Sequence, residues 1–296
     1  MKIWIDGKFH DKADAKISVF DHCVLYGDGI FEGIRVYAGC VFRLSEHIDR
    51  LWASARFIKL NIGLTKEEIR DVVLDTVREN GLRDCYVRLV VTRGEGDMGL
   101  NPNLCPKATV FCIAAQIQMY PESDYENGLE IITAATQRMS VASFNGRAKS
   151  CNYLNNVMAK LEGQLAGVRE ALMLDHNGFV VEATGDNVFL VKDGDLYTPP
   201  CSLGALRGIT RDAVMELAEA AGIRVREEPF TRFEVYDADE MFLTGTAAEV
   251  IPVIKVDGRP IGDGKPGVVT HMLIEKYRSI VCVEGAMVYE TAGATA

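Results

Sequence analysis

Basic charge is scarce in this chain. Lysine and arginine total 32 against 42 acidic residues, a formal net charge of −10. With neither a basic patch nor a basic tail, binding to nucleic acid or to an anionic membrane is not expected. Histidine occurs five times and tryptophan twice, and the histidines show no metal-ligand spacing, so no metal is expected. No two cysteines form a Cys-x-x-Cys pair, which excludes a zinc ribbon and a thioredoxin-like motif. The longest apolar runs, such as 108–115, fall far short of the roughly 20 residues that cross a bilayer. No internal repeat is visible, and only the tail 291–296 is low in complexity. The first residues already read as strand and turn instead of a signal peptide. A soluble, cytoplasmic protein is expected.

What is present suits a packed interior. The chain has 296 residues, 48% hydrophobic and 25% charged, enough for one large or two medium domains. Eight cysteines lie at 23, 40, 85, 105, 112, 151, 201 and 282. Those in apolar surroundings, such as Cys112 and Cys282, read as small buried hydrophobes in a reducing compartment.

The pattern divides into two parts with a connector. Residues 1–118 form a small α+β domain. Ile3–Ile5 and Lys8–Phe9 make a hairpin across Asp6-Gly7, and Ile34–Tyr37 and Cys40–Arg43 make another across Ala38-Gly39. Ser45 is the expected cap of a helix with Ile48, Leu51, Trp52 and Ala55 on one face. Thr65-Lys66-Glu67-Glu68 is a capping box opening a second helix that Gly81 closes. Cys85–Thr92 and Ala108–Ala115 are strands. Residues 119–128 are polar and turn-rich and read as a linker. Residues 129–296 form a larger domain with a mixed, largely antiparallel sheet. Its helices are 152–166, with Leu154, Met158, Leu161 and Leu165 inward, then 210–221 and 268–280. Site residues from both parts are expected to meet in a cleft.

Three groups stand out chemically. Lys149 ends the stretch Gly146-Arg147-Ala148-Lys149 and precedes a helix. Glu182 follows 33 positions later at a strand end, and Gly208-Ile209-Thr210 opens another helix. An amine can form a Schiff base with an aldehyde, a carboxylate can pair with a protonated pyridine nitrogen, and a helix start can receive a phosphate. Taken singly, each has a plainer reading. Lys149 could be a surface lysine, Glu182 an ordinary carboxylate and Thr210 a helix cap.

In order and spacing these motifs resemble the fold-type-IV pyridoxal-phosphate enzymes, the D-amino acid aminotransferase-like fold with a small N-terminal and a larger C-terminal α/β domain. Tyr26-Gly27-Asp28-Gly29-Ile30-Phe31-Glu32-Gly33-Ile34-Arg35 brings the chain nearest the branched-chain amino acid aminotransferases, and the resemblance covers essentially its whole length. It implies Lys149 as the catalytic amine. It implies Arg50, Tyr153, Glu182, Gly208, Ile209, Thr210 and Thr246 as further cofactor contacts, with Arg138 beside the cofactor 3′-oxygen. Tyr26, Phe31 and Gly33 would line an apolar side-chain pocket, with Tyr26 lent by a neighbouring subunit. Tyr86, Thr246 and Ala247 would hold the substrate α-carboxylate, and Arg88 the distal carboxylate of glutamate.

The implied activity is reversible transfer of an amino group between L-leucine, L-isoleucine or L-valine and 2-oxoglutarate. Its small-molecule partners are amino acids and 2-oxo acids, and a homodimer or homohexamer with its active site at the dimer interface is implied. Two features depart from some relatives, which carry a redox-active Cys-x-x-Cys or one more residue between the lysine and Asn-Tyr. Arg50 as a helix salt bridge, Arg88 as a cross-strand ion pair and Tyr153 as core packing stay open. So do a D-amino acid transaminase, a lyase like aminodeoxychorismate lyase, and a cofactor-binding protein without turnover. The glycine-rich stretch Gly94–Pro102 lacks the lysine of a P-loop and is expected to be a mobile loop.

Overall fold

The computed structural model describes residues 1–117 and 120–289. They fall into two compact units. The first comprises Met1–Ile117, Ala148–Asn152 and Ile280–Ala296, the second Gln118–Arg147 and Tyr153–Ser279. The chain thus returns to its first unit twice, which a single boundary at 119–128 does not anticipate. Met119 lies outside the described residues, as does the low-complexity tail, and Glu122–Asn127 forms a short helix of the second unit.

The first unit holds a seven-stranded sheet. Its order is Gly285–Met287, Cys40–Phe42, Gly29–Tyr37, Cys85–Thr92, Thr109–Ala115, Lys2–Ile5 and Lys8–Asp11. Every pairing is antiparallel. Helices Leu44–Phe57 and Lys66–Glu79 pack on one face. Strand side chains alternate between faces, so Ile30, Ile34, Val36, Val87, Leu89, Val91, Val110 and Cys112 join the helices in one buried core. Phe31, Gly33, Tyr86 and Arg88 stand on the opposite face. Gly33 pairs with Arg88 and Phe31 with Val90.

The first helix begins differently from expectation. Its N-cap is Arg43, in the left-handed region at φ 46°, and no side chain caps it. Ser45 lies one residue inside. The second helix has the expected capping box, with Thr65 Oγ1 accepting from the Glu68 N–H at 3.1 Å and Glu68 Oε2 accepting from the Thr65 N–H at 2.7 Å.

The second unit is built on a nine-stranded mixed sheet. Its main path runs Val225–Glu227, Asp195–Thr198, Asn187–Lys192, Glu240–Gly245, Glu249–Val256, Leu129–Thr133, Glu170–Leu174 and Val180–Ala183, and Arg259–Pro260 pairs with Glu249–Val256. Three pairings are parallel, those of Asp195–Thr198 with Val225–Glu227 and of Leu129–Thr133 with both its neighbours.

The helix Leu154–Leu165 overturns its expected facing. Leu154, Met158, Leu161 and Leu165 are exposed, Leu154 at 67% and Leu165 at 89%. Asn156, Ala159 and Gly163 face inward instead. The small residues let the helix lie close to the Glu170–Leu174 strand, where Gly163 approaches the Glu170 carbonyl. Asn156 is tolerated inside because its amide is hydrogen-bonded on both sides, to Arg138 and to the Thr184 carbonyl. Lys160 is half-buried and pairs with buried Glu170 at 2.9 Å. Cys282, expected inside, is exposed.

Both tryptophans, Trp4 and Trp52, pack on the first unit's core, so their fluorescence reports that unit. Replacing Thr65 with Ala removes one arm of the capping box and should lower its stability by about 1 kcal/mol. Urea denaturation followed by tryptophan emission measures this. An unchanged midpoint would show that the box contributes nothing.

Candidate active site

Lys149 is held in the first unit by its backbone. Along the Gly29–Tyr37 strand, the Cys40–Phe42 strand pairs only with Val36 and Tyr37, so the same edge at Gly29–Phe31 is open to another segment. Residues 149–151 take that place. The Phe31 N–H donates to the Lys149 carbonyl at 3.0 Å, the Cys151 N–H donates to the Gly29 carbonyl at 2.8 Å, and Ile30 and Ser150 form an antiparallel bridge. Ser54 Oγ, from the first helix, accepts the Lys149 N–H at 3.0 Å. The half-buried amine stands 4.6 Å from the centroid of the Phe31 ring.

The same ring carries a second cation. The Arg88 guanidinium lies 4.5 Å from the Phe31 centroid, and its Nη2 donates to the Tyr86 hydroxyl at 3.1 Å. Stacking on an aromatic face favours a cation modestly and leaves its N–H edges available. Among the described residues Arg88 has no carboxylate partner, which removes the cross-strand ion-pair reading. Gly33 makes this arrangement possible, because a Cβ there would collide with the Tyr86 hydroxyl. Tyr26 lies apart from this cluster. It ends the short helix His22–Tyr26, is exposed, and its hydroxyl accepts from the Gly99 N–H at 2.9 Å. His22 Nε2 is 2.9 Å from the Asp97 carbonyl, so the glycine-rich loop is tied to that helix at two points.

Arg50 turns one edge of its guanidinium to Glu32, a partner that sequence reasoning missed. Glu32 is fully buried; its Oε1 accepts from Arg50 Nε at 2.9 Å and its Oε2 from Arg50 Nη2 at 2.7 Å, and His47 Nδ1 is 2.8 Å from that same Oε2. Burial alone would push the Glu32 carboxyl up; the Arg50 charge and the hydrogen bonds from Arg50 and His47 outweigh it and hold it at about 2. Burial moves His47 below its ordinary value despite Glu32. The legible signal was a lone glutamate at a core-facing strand position, with His47 and Arg50 three apart on a helix.

In the second unit Glu182 lies within the Val180–Ala183 strand and is buried. Its Oε1 accepts from Arg138 Nε at 2.7 Å and Nη2 at 2.5 Å, and its Oε2 accepts from the Leu206 N–H at 2.9 Å. Arg138 also donates to Asn156 Oδ1 at 3.0 Å. The structure thus places Arg138 as the partner of Glu182, a role that sequence reasoning missed. Tyr153 is half-buried at the N-cap of the Leu154–Leu165 helix.

Gly208 is the N-cap of the helix Ile209–Ala220, and no side chain caps that start. The first-turn N–H groups are thus left for another acceptor. Ile209 and Thr210 are buried in that turn. A Cβ on Gly208 would strike Asn187 Oδ1, and Asn187 Nδ2 donates to the Leu206 carbonyl at 2.8 Å. Asn187 thus shapes the loop before the helix. Thr246 and Ala247 occupy the half-buried turn between Glu240–Gly245 and Glu249–Val256. Among the described residues no group of His, Cys, Asp or Glu could hold a metal, and no helix is long and apolar enough to cross a membrane.

The chain is similar to known proteins over nearly its whole length. The amino-transferase class IV family pattern matches residues 29–256. A Methanocaldococcus jannaschii protein, provisionally named a branched-chain-amino-acid aminotransferase, is 54% identical over 290 residues, covering 98% of this chain and 100% of that protein. The crystal structure of the Escherichia coli branched-chain amino acid aminotransferase superposes with a TM-score of 0.92 at 36% identity, covering 96% of each chain. The branched-chain amino acid aminotransferase from Thermobaculum terrenum, in its PLP-bound holo form, superposes with a TM-score of 0.85 at 30% identity, covering 96% of this chain and 94% of that one.

The Glu32 cluster predicts an acid limb of stability. Glu32 titrates lower folded than unfolded, so its contribution is complete above about 4.5 and is lost as pH falls towards about 2. His47, also lowered on folding, begins the decline below its ordinary 6.5. Urea midpoints read by tryptophan emission should fall over both ranges. In Glu32→Gln the dependence between 4.5 and 2 should flatten, and a wild-type slope retained there would exclude the assignment.

Proposed function

The chain belongs to the amino-transferase class IV family, and on that premise we propose that it transfers the amino group reversibly between L-leucine, L-isoleucine or L-valine and 2-oxoglutarate. The supporting observation is Arg88, a half-buried guanidinium stacked on Phe31 beside the Lys149 amine with no acidic partner among the described residues. An apolar ring accepts a branched side chain, and the guanidinium accepts the second carboxylate of glutamate. A pocket serving both substrates in turn needs both. The D-amino acid transaminase and lyase readings are less well supported, because the relatives above are branched-chain enzymes.

The residues suit pyridoxal phosphate. A half-buried amine, a buried carboxylate oriented by Arg138 and the Leu206 N–H, and an uncapped helix start match its aldehyde, ring nitrogen and phosphate. When bound, pyridoxal phosphate supplies an electron sink for the bond broken at the substrate α-carbon. Lys149 would hold the cofactor, then take the proton from the substrate α-carbon and return it in the reverse half of the cycle. Glu182 would keep the ring nitrogen protonated. Gly208, Ile209, Thr210, Thr246 and Arg50 would hold the phosphate, and Tyr153 would stand by the 3′-oxygen. Tyr86, Thr246 and Ala247 would orient the α-carboxylate, with Phe31 and Gly33 around the substrate side chain and Tyr26 lent to that pocket by a neighbouring copy.

A homo-oligomer, dimer or hexamer, belongs to the same reading. Val19, Phe20, Val24 and Leu25 are exposed around Tyr26, an apolar patch suited to a second copy. The eight cysteines are all free, in keeping with a cytoplasmic location. The acidic balance supports no role on nucleic acid.

Wild-type protein loaded with pyridoxal phosphate should form glutamate from L-leucine and 2-oxoglutarate. Failure there, with activity on D-alanine, would overturn the branched-chain reading. Lys149→Ala should abolish turnover, and borohydride should fix the cofactor on the Lys149 peptide of the wild type only. Arg88→Ala should weaken the dicarboxylic partner selectively, by about 2 kcal/mol or roughly thirtyfold in KM. Equal losses for 2-oxoglutarate and the branched-chain oxo acids would count against its role.

A further inference from the structure

Two thiols far apart in sequence meet beside the Lys149 segment. Cys23 lies in the first turn of the helix His22–Tyr26, where its N–H donates to Asp21 Oδ1 at 2.8 Å. Cys151 lies two residues after Lys149 and is fastened to Gly29 through its own N–H. Both sulfurs converge on the same spot over the strand. A Cβ placed on Gly29 would stand 2.9 Å from Cys23 Sγ and 3.2 Å from Cys151 Sγ, and the two side chains are hydrogen-bonded to each other. Both are half-buried and free. Of the other six cysteines, Cys40, Cys85 and Cys112 are buried, Cys105 and Cys201 are half-buried, and Cys282 is exposed.

We propose that Cys23 and Cys151 are a modification site that closes to a disulfide with a low-molecular-weight disulfide as co-reactant, tying the Lys149 segment to the helix that ends at Tyr26. The two thiols have unequal roles. The hydrogen bond donated to Cys151, with burial, pushes Cys23 up and keeps its proton on. Cys151 is lowered by that same hydrogen bond, against burial, and by the positive charge of Arg88. Cys151 is therefore the attacking thiolate. Its sulfur attacks one sulfur of the small disulfide, the S–S bond breaks, and one small thiolate leaves with the electron pair. Cys23 then gives up its proton and attacks Cys151 Sγ, expelling the second small thiolate. Two protein thiols are oxidised, one small disulfide is reduced to two small thiols, and atoms and electrons balance. In a reducing cytoplasm the pair rests as two thiols and closes only when small disulfides accumulate.

The consequence for turnover rests on the function proposed above. The new bond replaces a hydrogen-bond contact with a covalent length, so Cys151 is drawn towards Cys23 and Lys149, two residues away, shifts with it. The oxidised enzyme should lose most of its amino-transfer rate and regain it with dithiothreitol.

Cofactor-loaded full-length protein is incubated with excess oxidised glutathione and mapped under non-reducing conditions by mass spectrometry. The expected product is one cross-linked peptide joining Cys23 to Cys151, lighter by two hydrogen atoms than its reduced parts. Exposed Cys282 serves as the internal control that the reagent has acted. Cys23→Ser should instead trap glutathione on Cys151, whereas Cys151→Ser should leave Cys23 unmodified. The site is refuted if Cys282 reacts while Cys23 and Cys151 stay reduced, or if wild-type Cys151 keeps glutathione without cross-linking. A cross-link with unchanged activity would overturn the tie to Lys149. Mapping reads the bond whether or not the protein transaminates, so a failure of the proposed function is seen separately.

Discussion

The Glu32 carboxylate sits on the core side of its strand, and much of the first unit is arranged around that fact. A charge removed from water is costly unless it is paired and its remaining lone pairs are satisfied. Arg50 and His47 do this from the helix Leu44–Phe57, which fixes that helix in register over the sheet. One turn beyond Arg50, the same helix presents Ser54 to the Lys149 backbone. Because strand side chains alternate, committing Glu32 to the core commits Phe31 and Gly33 to the other face. Register with Cys85–Thr92 then sets Arg88 and Tyr86 beside them. A one-residue slip would bury the aromatic ring and expose the carboxylate.

The second unit meets the same physical demand with different residues. Glu182 is buried within its strand, and Arg138 straddles it while the Leu206 N–H takes the other oxygen. Arg138 is held in turn by Asn156, which explains why a polar residue faces inward on the helix Leu154–Leu165. Both carboxylates are immobilised by an arginine that donates through two nitrogens. Such pairs set direction more than they add stability. In Glu182 the outcome is a negative charge aimed by its surroundings, and in Glu32 a positive residue, Arg50, whose plane is settled from behind.

Regular elements were largely legible in the sequence. Alternation over 85–92, the turn at Asp6-Gly7 and the capping box at Thr65 are short-range signals, and the structure carries each one. The apolar stripe of Leu154, Met158, Leu161 and Leu165 misled, because periodicity shows that a helix has an apolar face and not what covers it. The inward face there is defined by close approach and by Asn156, neither of which is an apolar signal. The helix start at Leu44 was also missed, since Arg43 adopts a left-handed backbone without any capping side chain.

What the sequence determined by itself was chemistry and local order: an amine before a helix, a carboxylate at the end of a strand, and a glycine at a helix start. These depend on residue type and on spacings of a few positions. Tertiary structure decided the partners. That Glu32 serves Arg50, that Arg138 serves Glu182, that Lys149 completes the open edge of the Gly29–Tyr37 strand, and that Cys151 reaches Cys23 are contacts across 18 to 128 positions. No local propensity encodes a distance of that kind. It is set when buried charges and strand edges must each find the one group that satisfies them.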